Sequence, residues 1–407
     1  MSRSVDEHVG EVAAAISRAA HRRTQDRPVE RPVAPGLVGR LAAPAVSRLD
    51  VPGFDNSQMD GFAVHAADLA RAADAPVALP TVAHVVAGDA APTPLALGTV
   101  APIMTGAPVP PGADAVVPVE QTVAREFGPV GGGAVVEFTA PVAPGTFVRA
   151  RGTDVRAGEA VLEAGAPLHP AAVGALVVAG VETVRVAPAL RLAIVATGAE
   201  LISGAVPDSN SRVLLAHAHE LGLEATAHVV PDDPAELEAL LDRLAPLTDV
   251  IVTTGGVSAG TREVVRQVLE TRPSAWFDHV AVQPGGPQGL AGWDDGDRVV
   301  PVVCLPGNPV SVLVSFELFL RPPLARAAGR IDQRPTGTGP LAEPLISPSG
   351  RLQVRRGLLR SDGSVSLVGA AGSHLPVSYA RADLLVLVPE DVTALDAGDI
   401  VQWWRIA

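Results

Sequence analysis

At 407 residues, the chain is too long for one ordinary domain, and about two to four domains are expected. Hydrophobic residues make up 47% of the chain and aromatic residues only 3%, while 40 glycines and 38 prolines predict many turns between short strands. The net charge of −13 argues against a general nucleic-acid binder and against a protein that binds anionic membranes.

The basic residues are all arginine, since the sequence contains no lysine. A cation needed at a functional site must therefore be arginine, histidine or a metal ion. The single cysteine, Cys304, lies in an apolar run and is predicted to be a buried core thiol, with no internal disulfide. No basic-then-apolar leader opens the chain, and no apolar run reaches the roughly 18 residues of a membrane span. We therefore expect a soluble, cytoplasmic protein.

The first predicted element is a helix over residues 4–20. Ser4 is a typical N-cap residue, acidic residues follow in the first turn, and Val12 and Ile16 lie on one apolar face. Residues 54–63 (FDNSQMDGFA) then place acids and amides beside large apolar side chains. This segment is either an Asx-rich turn before a strand or a loop that directs carboxylates into a site.

From there to about residue 140, short β-branched runs between glycines and prolines predict a small β-rich domain. Residues 103–110 (IMTGAPVP) lie inside it. Thr105 and Gly106 in this segment are a candidate hydroxyl and N–H contact to an anion.

From residue 190 onward, strands and helices alternate. Strands are predicted at residues 191–196, 224–230, 249–253, 277–282 and 299–304, and helices at 209–221, 234–244 and 261–270. This βαβ alternation predicts a parallel sheet with helices on both faces. The turns after three strands are residues 197–200 (TGAE), 253–256 (TTGG) and 305–309 (LPGNP). Because ligands of such sheets bind beyond the carboxyl ends of the strands, these turns are predicted to share one site.

The turn that follows residues 249–253 carries the strongest local pattern. A strand, a glycine-rich turn and a helix point free backbone N–H groups at an anion. Thr253, Thr254 and Ser258 add hydroxyl groups. Tight βα turns also need glycine for their shape, so the pattern alone leaves both interpretations open.

A helix over residues 310–320 is predicted to end at Pro322 and Pro323. Strand-like runs resume beyond about residue 329 and predict a small C-terminal β-domain, in which Trp403 and Trp404 pack. No CxxC pair or HExxH pattern occurs, so zinc is not expected. No catalytic-triad spacing and no Walker pattern occurs either.

Together, these stretches resemble the molybdopterin molybdenumtransferase family, which includes bacterial MoeA and the E domain of gephyrin. The resemblance spans nearly the whole chain in the order that the family has. It rests on residues 54–63 (FDNSQMDGFA), 103–110 (IMTGAPVP), 112–116 (GADAV), 152–154 (GTD), 197–201 (TGAEL), 208–210 (DSN), 254–260 (TGGVSAG), 305–311 (LPGNPVS) and 372–382 (GSHLPVSYARA).

The resemblance implies an α/β plus β multidomain fold with a central parallel-sheet domain. The implied domains are a helical and β domain I at 1–48 and 141–186, an inserted β-domain II at 49–140, a molybdopterin-binding domain III at 187–328, and a β-barrel-like domain IV at 329–407. It also implies a homodimer in which each site forms between domain III of one subunit and domain II of the other.

The implied reaction converts adenylylated molybdopterin and molybdate to molybdenum cofactor and AMP, with Mg²⁺ or another divalent metal. The implied catalytic residues are Asp60, Thr105 and Glu263, with Thr105 and Ser258 as hydroxyl contacts to oxyanions. Metal ligands would be Asp60, Asp154 and Glu200, oxygen ligands for a hard ion. The implied substrate-binding residues are Thr254, Gly255, Gly256, Ser258, Gly260, Gln283, Pro306, Gly307, Asn308 and Pro309.

Two departures from the family affect this expectation. The family commonly has aspartate where Glu263 stands, and Lys-Pro-Gly-Lys-Pro where residues 283–287 read QPGGP. Both lysine positions, Gln283 and Gly286, are therefore neutral. Losing a charge-assisted contact to an oxyanion costs about 1.5–3 kcal/mol of binding unless another group replaces it. Arg262 and Arg266 are the candidate replacements.

We therefore expect an active molybdenum-inserting enzyme. The alternative is a gephyrin-like scaffold protein that binds a protein partner and has reduced or absent transferase activity. A nucleotide pyrophosphatase that shares only the α/β domain is disfavoured, because the resemblance extends through both flanking β regions.

Overall fold

The computed structural model describes residues 2–82, 84–85, 88, 92–257, 263–272 and 274–406. The first part of the chain contains α1 (Val5–Thr24), β1 (Val29–Pro32), β2 (Ala45–Val46), β3 (Asn56–Ser57), β4 (Gly61–Val64), β5 (Val77–Pro80), β6 (Ala101–Ile103), β7 (Ala115–Pro118), β8 (Val135–Phe138), β9 (Val148–Arg149), β10 (Ala160–Leu162), α2 (Pro170–Val178) and β11 (Thr183–Val186), with 3-10 helices at Ala66–Leu69 and Val119–Gln121.

The predicted first helix is confirmed, and it runs four residues further than expected. Ser4 caps it: the Ser4 hydroxyl accepts a hydrogen bond from the Glu7 N–H, and the Glu7 carboxylate accepts one from the Ser4 N–H. Its buried residues Val12 and Ile16 pack in the same core as the later α/β sheet. Helix α1 therefore packs on the α/β part of the molecule, not on the β elements that follow it.

The β-rich region between residues 56 and 149 is built from small antiparallel ladders. Strand β4 pairs with β6 and β7, β5 pairs with β8, and β3 pairs with β9. Phe62 and Phe138 are buried in one of its apolar clusters. The prediction of β structure here is confirmed, while the domain boundaries stay a prediction.

The middle of the chain follows the predicted alternation closely. It contains β12 (Arg191–Thr197), α3 (Ala199–Ile202), α4 (Ser209–Leu221), β13 (Glu224–Val230), α5 (Pro234–Leu244), β14 (Val250–Thr254), α6 (Val264–Leu269), β15 (Trp276–His279), β16 (Val282–Gln283), β17 (Pro287–Asp294), β18 (Val299–Leu305), α7 (Pro309–Ser315) and α8 (Arg321–Ala327), with a 3-10 helix at Ala245–Leu247 and a π-helical turn at Phe316–Leu320.

These strands form one sheet in the order β13-β12-β14-β18-β17-β15, and the first four are mutually parallel. Successive side chains of a strand face opposite sides of a sheet. Ile194 and Val252 accordingly pack against α1, α4, α7 and α8, whereas Val195 and Ile251 pack against α5 and α6. Cys304 is buried in the second cluster, and burial raises the pKa of its thiol to about 12.

The sheet is mixed, which corrects the prediction of a parallel sheet. Strand β17 was not expected, and it pairs antiparallel with both β18 and β15. Its sequence, PQGLAGWD, has two glycines and no β-branched residue, so it gives no strand signal. Gly289 is required there because a Cβ would lie 2.3 Å from the ring of Phe277. The single strand predicted at 277–282 is really β15 and β16, which belong to different sheets.

The predicted helix end at Pro322 and Pro323 is also wrong. A π-helical turn precedes α8, and the prolines occupy the first positions of α8, where a backbone N–H is not needed. The helical segment therefore continues to Ala327.

The C-terminal part is β-rich, as predicted. It contains β19 (Thr336–Pro340), β20 (Leu345–Ile346), β21 (Leu352–Leu359), β22 (Val365–Leu367), α9 (Pro376–Ala380), β23 (Leu384–Val388), β24 (Ala394–Leu395) and β25 (Ile400–Arg405). Its main sheet has the order β16-β21-β23-β25-β19, so β16 ties it to the α/β region. Trp403 packs against Gly337, where a Cβ would lie 2.2 Å from the ring.

Among the described helices, none combines the length and the apolar composition that a bilayer crossing requires.

One buried carboxylate joins α1 to the α/β sheet at the end opposite to the three predicted turns. Asp249 is 2% exposed and accepts hydrogen bonds from the backbone N–H, Nε and Nη2 of Arg191. It also accepts one from Arg298, and Arg23 of α1 lies 3.5 Å away. Burial raises the pKa of Asp249, but the hydrogen bonds from Arg191 outweigh this effect and the net pKa is lowered.

We predict that Asp249→Asn destabilises the α/β region by about 3 kcal/mol at neutral pH, because Arg191 loses its carboxylate partner and Arg23 and Arg298 each lose one of two. The lowered pKa means that Asp249 stabilises the fold above its unfolded pKa of about 3.9, and that this contribution is lost as the pH falls through the folded value. Urea unfolding followed by the fluorescence of the buried Trp293 measures both effects.

The exposed Asp391→Asn is the matched control and should leave the unfolding midpoint unchanged. Equal unfolding midpoints for the two variants at pH 7 would contradict this role of Asp249. So would a loss of unfolding free energy in Asp249→Asn that does not become smaller in acid.

Candidate functional site

A cavity of about 610 Å³ lies beyond the carboxyl ends of β12, β14 and β18. The parallel register pairs Ala196 with Thr254, and Thr254 with Leu305, so the three strands end side by side. The turns that follow them, at residues 197–200, 254–257 and 306–309, all line the cavity. The prediction that these turns come together is confirmed.

Two buried hydroxyl groups in the cavity wall have no hydrogen-bond partner among the described residues. They are Oγ1 of Thr197, which is 8% exposed, and Oγ1 of Thr254, which is 2% exposed. The side-chain oxygen of Asn210, also in the wall, is likewise buried and unpaired. A buried polar atom without a partner costs about 1–3 kcal/mol, which a polar ligand would recover. The wall is therefore built to receive a polar ligand.

The glycines of the second turn determine its shape. Gly255 and Gly256 have φ values of +89° and +67°, which favour glycine. The Gly255 N–H donates to Leu305 O, so it is not available to a ligand. The N–H groups of Gly256, Gly307 and Asn308 have no acceptor among the described residues, which leaves them for an anion.

Asn210 connects the start of α4 to the third turn. Its side-chain N–H group donates to Gly307 O at 2.8 Å, and the Asp208 carboxylate accepts from the Ser211 N–H to cap the helix. Gly307 in turn packs on Gly255, because a Cβ at Gly307 would lie 3.4 Å from the Gly255 Cα. These contacts hold the second and third turns at a fixed separation.

The charged residues of the described cavity wall are all acidic: Glu200, Asp208, Asp232 and Glu263. Asp208 and Asp232 each accept a backbone N–H, from Ser211 and Ala199 respectively. The carboxylate of Glu200 accepts no hydrogen bond from the described residues and folds back beside Gly198. A phosphate-bearing ligand in this wall therefore requires a cation from elsewhere, and the oxygen donors fit a divalent metal ion.

Asp60 and Thr105 lie in the β-rich region and are not part of this cavity wall. The Thr105 N–H and hydroxyl both donate to Asp60 Oδ1, at 2.6 and 2.7 Å. These two bonds, the backbone one first, lower the pKa of the Asp60 carboxyl. Asp60 is therefore ionised at neutral pH and held in one orientation.

Asp154 lies apart from Asp60. In the antiparallel β3–β9 ladder, Asn56 faces Arg149 and Ser57 faces Val148, so Asp60 and Asp154 follow opposite ends of the ladder. No group of three acidic, histidine or cysteine side chains suited to a metal occurs in the described part of the chain. The three predicted metal ligands, Asp60, Asp154 and Glu200, are thus not gathered within one subunit.

Gln283 does not line the cavity, and its role in substrate binding stays a prediction. Its side-chain oxygen accepts a hydrogen bond from the Gln353 side chain at 2.9 Å, because β16 pairs with β21. Pro287, at the other end of the same segment, does line the cavity. Gln283 is therefore bonded within the C-terminal sheet.

Ser258 and Gly260 were predicted to bind the substrate, and both lie outside the described residues, as does Arg262. Arg266 is described, but it forms an ion pair with Glu270 and does not line the cavity. The predicted residues that do line it are Thr254, Gly255, Gly256, Glu263, Pro306, Gly307, Asn308, Pro309 and Glu200.

Sequence reasoning missed the roles of several wall residues, among them Thr197, Asn210 and Asp232. Thr197 and Asn210 stand in motifs that the resemblance had already marked. Thr197 stands at the end of a strand and Asn210 at the start of a helix, and these positions could have marked them as candidate site residues.

A buried arginine of the C-terminal sheet was also missed. Arg356 is 1% exposed and donates to Gly372 O and Ala370 O. The next residue along, Ser373, accepts the Val310 N–H at the start of α7, beside the cavity wall. Nothing in the local sequence distinguishes Arg356 from its neighbour Arg355.

Family comparisons cover almost all of the chain. Residues 3–180 match the family model of the MoeA N-terminal region (domain I and II), residues 193–326 that of a probable molybdopterin binding domain, and residues 338–406 that of the MoeA C-terminal region (domain IV). The chain belongs to the molybdopterin molybdenumtransferase family.

Relatives in this family align over most or all of their length. Molybdopterin molybdenumtransferase 2 of Mycobacterium tuberculosis is 41% identical over 99% of this chain and 100% of its own. The molybdopterin molybdenumtransferase of Haemophilus influenzae is 31% identical over 88% of each chain.

Two solved structures of the molybdopterin biosynthesis MoeA protein from Pyrococcus horikoshii have a similar fold. One has a TM-score of 0.73 at 24% identity and covers 96% of this chain and 99% of its own. The other has a TM-score of 0.69 at 29% identity and covers 96% of this chain and 98% of its own. The arrangement of sheets described above is therefore that of MoeA proteins.

We predict that Gly255→Ala destabilises the fold by more than the roughly 1–2 kcal/mol of a left-handed conformation alone. The added Cβ would also lie 3.1 Å from Thr197 Oγ1 and 3.2 Å from Thr197 O. Gly204→Ala is the matched control, since Gly204 has φ +74° but no atom within 4 Å of its Cβ. Urea unfolding measures the difference in stability between the two variants. Equal midpoints would contradict the prediction that crowding against Thr197 adds to the cost at Gly255.

Proposed function

We propose that this chain inserts molybdate into adenylylated molybdopterin and releases AMP, as a step of molybdenum cofactor biosynthesis. Its membership of the family supports a transferase of this kind. The observation that carries the proposal is the cavity wall with the unpaired Thr197, Thr254 and Asn210 oxygens at the ends of three parallel strands. We place the phosphate-bearing pterin substrate there.

Within the cavity, the chain's own groups bind and orient the substrate. The N–H groups of Gly256, Gly307 and Asn308, which have no acceptor among the described residues, are suited to phosphate oxygens, and the Thr254 and Thr197 hydroxyls to polar edges of the ligand. The contact between Gly307 and Gly255 and the Asn210 bond keep these groups in place before the substrate arrives. Such preorganisation lowers the cost of holding charge in the transition state.

We infer that a divalent cation, Mg²⁺ being the expected one, accompanies the substrate. The described wall presents carboxylates and no cationic side chain, so a polyanion would be repelled without it. Held by carboxylates of the chain, a divalent cation would supply positive charge that offsets the charge developing when the pyrophosphate linkage is cleaved. The residues we assign to hold it are Glu200 from the wall and Asp60 from the β-rich region, while the assignment of Asp154 stays a prediction from the family resemblance.

These acids would meet only in a homodimer whose sites are shared between subunits. Within one chain, Asp60 and Asp154 lie away from the cavity that contains Glu200. We therefore propose that the β-rich region of one subunit completes the cavity of the other. The cytoplasmic location and the four-domain division stay predictions.

The missing lysines limit the cations available to molybdate. Position 283 is a glutamine already bonded to Gln353, and position 286 is a glycine with no charge. We propose that the buried Arg356, which bonds to the loop packed on α7, supplies a fixed positive charge on this side of the cavity. The scaffold alternative rests on the two lost lysines and on the resemblance to gephyrin, and no structural observation favours it.

The activity is tested directly by giving the purified protein adenylylated molybdopterin, molybdate and Mg²⁺. We expect AMP to be released, and we expect chelation of the metal with EDTA to stop it. The absence of AMP under conditions in which another member of the family works would overturn the proposed function.

We predict that Thr254→Val raises the KM for adenylylated molybdopterin by about tenfold, because the ligand loses one buried hydrogen bond. The fold should not lose stability, since no described residue pairs with this hydroxyl and valine has nearly the same shape. The melting temperature and the KM are the two measurements.

Thr338→Val, an exposed change in the C-terminal sheet, is the control for the loss of a threonine hydroxyl. If Thr254→Val and Thr338→Val have the same KM as the parent, the cavity at residue 254 does not bind the pterin substrate.

A further inference from the structure

The conformation of the Asp60 carboxylate is set by its strand partner. Strands β4 and β6 pair antiparallel with Gly61 opposite Ile103, so the residue before β4 lies beside the turn after β6. This register brings Asp60 next to Thr105. The backbone N–H and the hydroxyl of Thr105 then both reach the same carboxylate oxygen, Oδ1.

The other oxygen of Asp60, Oδ2, accepts no hydrogen bond from the described residues. Asp50, an acid in the same part of the chain, is bonded through both oxygens, to Arg151 and to the Ala157 N–H. Asp60 therefore has one oxygen fixed to the protein and one left for a ligand.

The two segments that meet at this pair are tied together on each side. The Gly106 N–H donates to Ser57 O at 2.8 Å, and the Ser57 N–H donates to Ala107 O at 3.0 Å. The buried Ser57 hydroxyl donates to Met59 O at 2.6 Å. Thr105 thus acts from a turn that cannot move independently of the Asp60 segment.

The Thr105 hydroxyl has one proton, and it is donated to Asp60. It is therefore not available to an oxyanion of the substrate, which was the role suggested by the sequence. We propose that Thr105 is a positioning residue that fixes the Asp60 carboxylate by Oδ1 and leaves Oδ2 facing a divalent cation. This inference rests on the proposed function, which assigns Asp60 to the metal.

The test measures binding of Mn²⁺ to the purified full-length protein in the presence of the pterin substrate, by the loss of the free-ion EPR signal. Thr105→Val keeps the backbone N–H but loses the hydroxyl, and Thr105→Ser keeps both donors. We expect Thr105→Val to raise the Kd for Mn²⁺ by about tenfold and Thr105→Ser to stay near the parent. The melting temperature, and the Kd for the pterin substrate measured without a divalent metal, should not change in either variant.

Asp60→Asn separates this inference from the proposed function. If the parent binds Mn²⁺ and Asp60→Asn does not, the metal role of Asp60 stands. Parent-like Mn²⁺ binding by Thr105→Val would then overturn the positioning role alone. If Asp60→Asn binds Mn²⁺ as tightly as the parent, both the metal assignment and the role of Thr105 are wrong. If Thr105→Ser and Thr105→Val both raise the Kd for Mn²⁺ tenfold, the role of the hydroxyl is also contradicted.

Discussion

The parallel register of β12, β14 and β18 is the constraint on which the site depends. Because Ala196, Thr254 and Leu305 lie side by side across the three strands, the turns after them begin at the same edge of the sheet. Each turn alone is an ordinary βα connection. Together they enclose a cavity, and two glycines pack closely enough to bring the second turn against the third. The buried hydroxyls and the free N–H groups all follow from this alignment.

Charge is the second constraint, and it makes the site dependent on groups from outside the α/β region. The chain has no lysine, its net charge is −13, and the described cavity wall contains carboxylates without a cationic side chain. A phosphate-bearing substrate needs positive charge close by, since an isolated anion in a poorly solvated acidic wall is strongly disfavoured. We propose that a divalent cation, held in part by a second subunit, meets this need. The oriented carboxylate of Asp60 fits such an arrangement because it is ionised and only one of its two oxygens, Oδ1, accepts hydrogen bonds from the described residues.

Much of this could be predicted from the sequence where local signals agreed with the fold. Helix α4 begins and ends at the predicted residues because Asp208 caps it and Gly222 closes it. Strand β17 could not be predicted, because Gly289 is required by the ring of Phe277 and not by strand propensity. The π-helical turn before Pro322 and the bond from Gln353 to Gln283 depend on tertiary contacts in the same way. The family resemblance located the site residues, and the structure showed which of them share a wall.

The claim that the site is shared between subunits is tested most directly with a heterodimer purified through two different tags. One subunit carries Asp60→Ala and the other Glu200→Ala, and each change alone should inactivate its homodimer. In the heterodimer, one of the two sites receives an intact cavity wall and an intact β-rich region from different subunits. The account therefore predicts AMP release at about half the parent rate. An inactive heterodimer would show that Asp60 and Glu200 must act within the same chain, and would contradict the account.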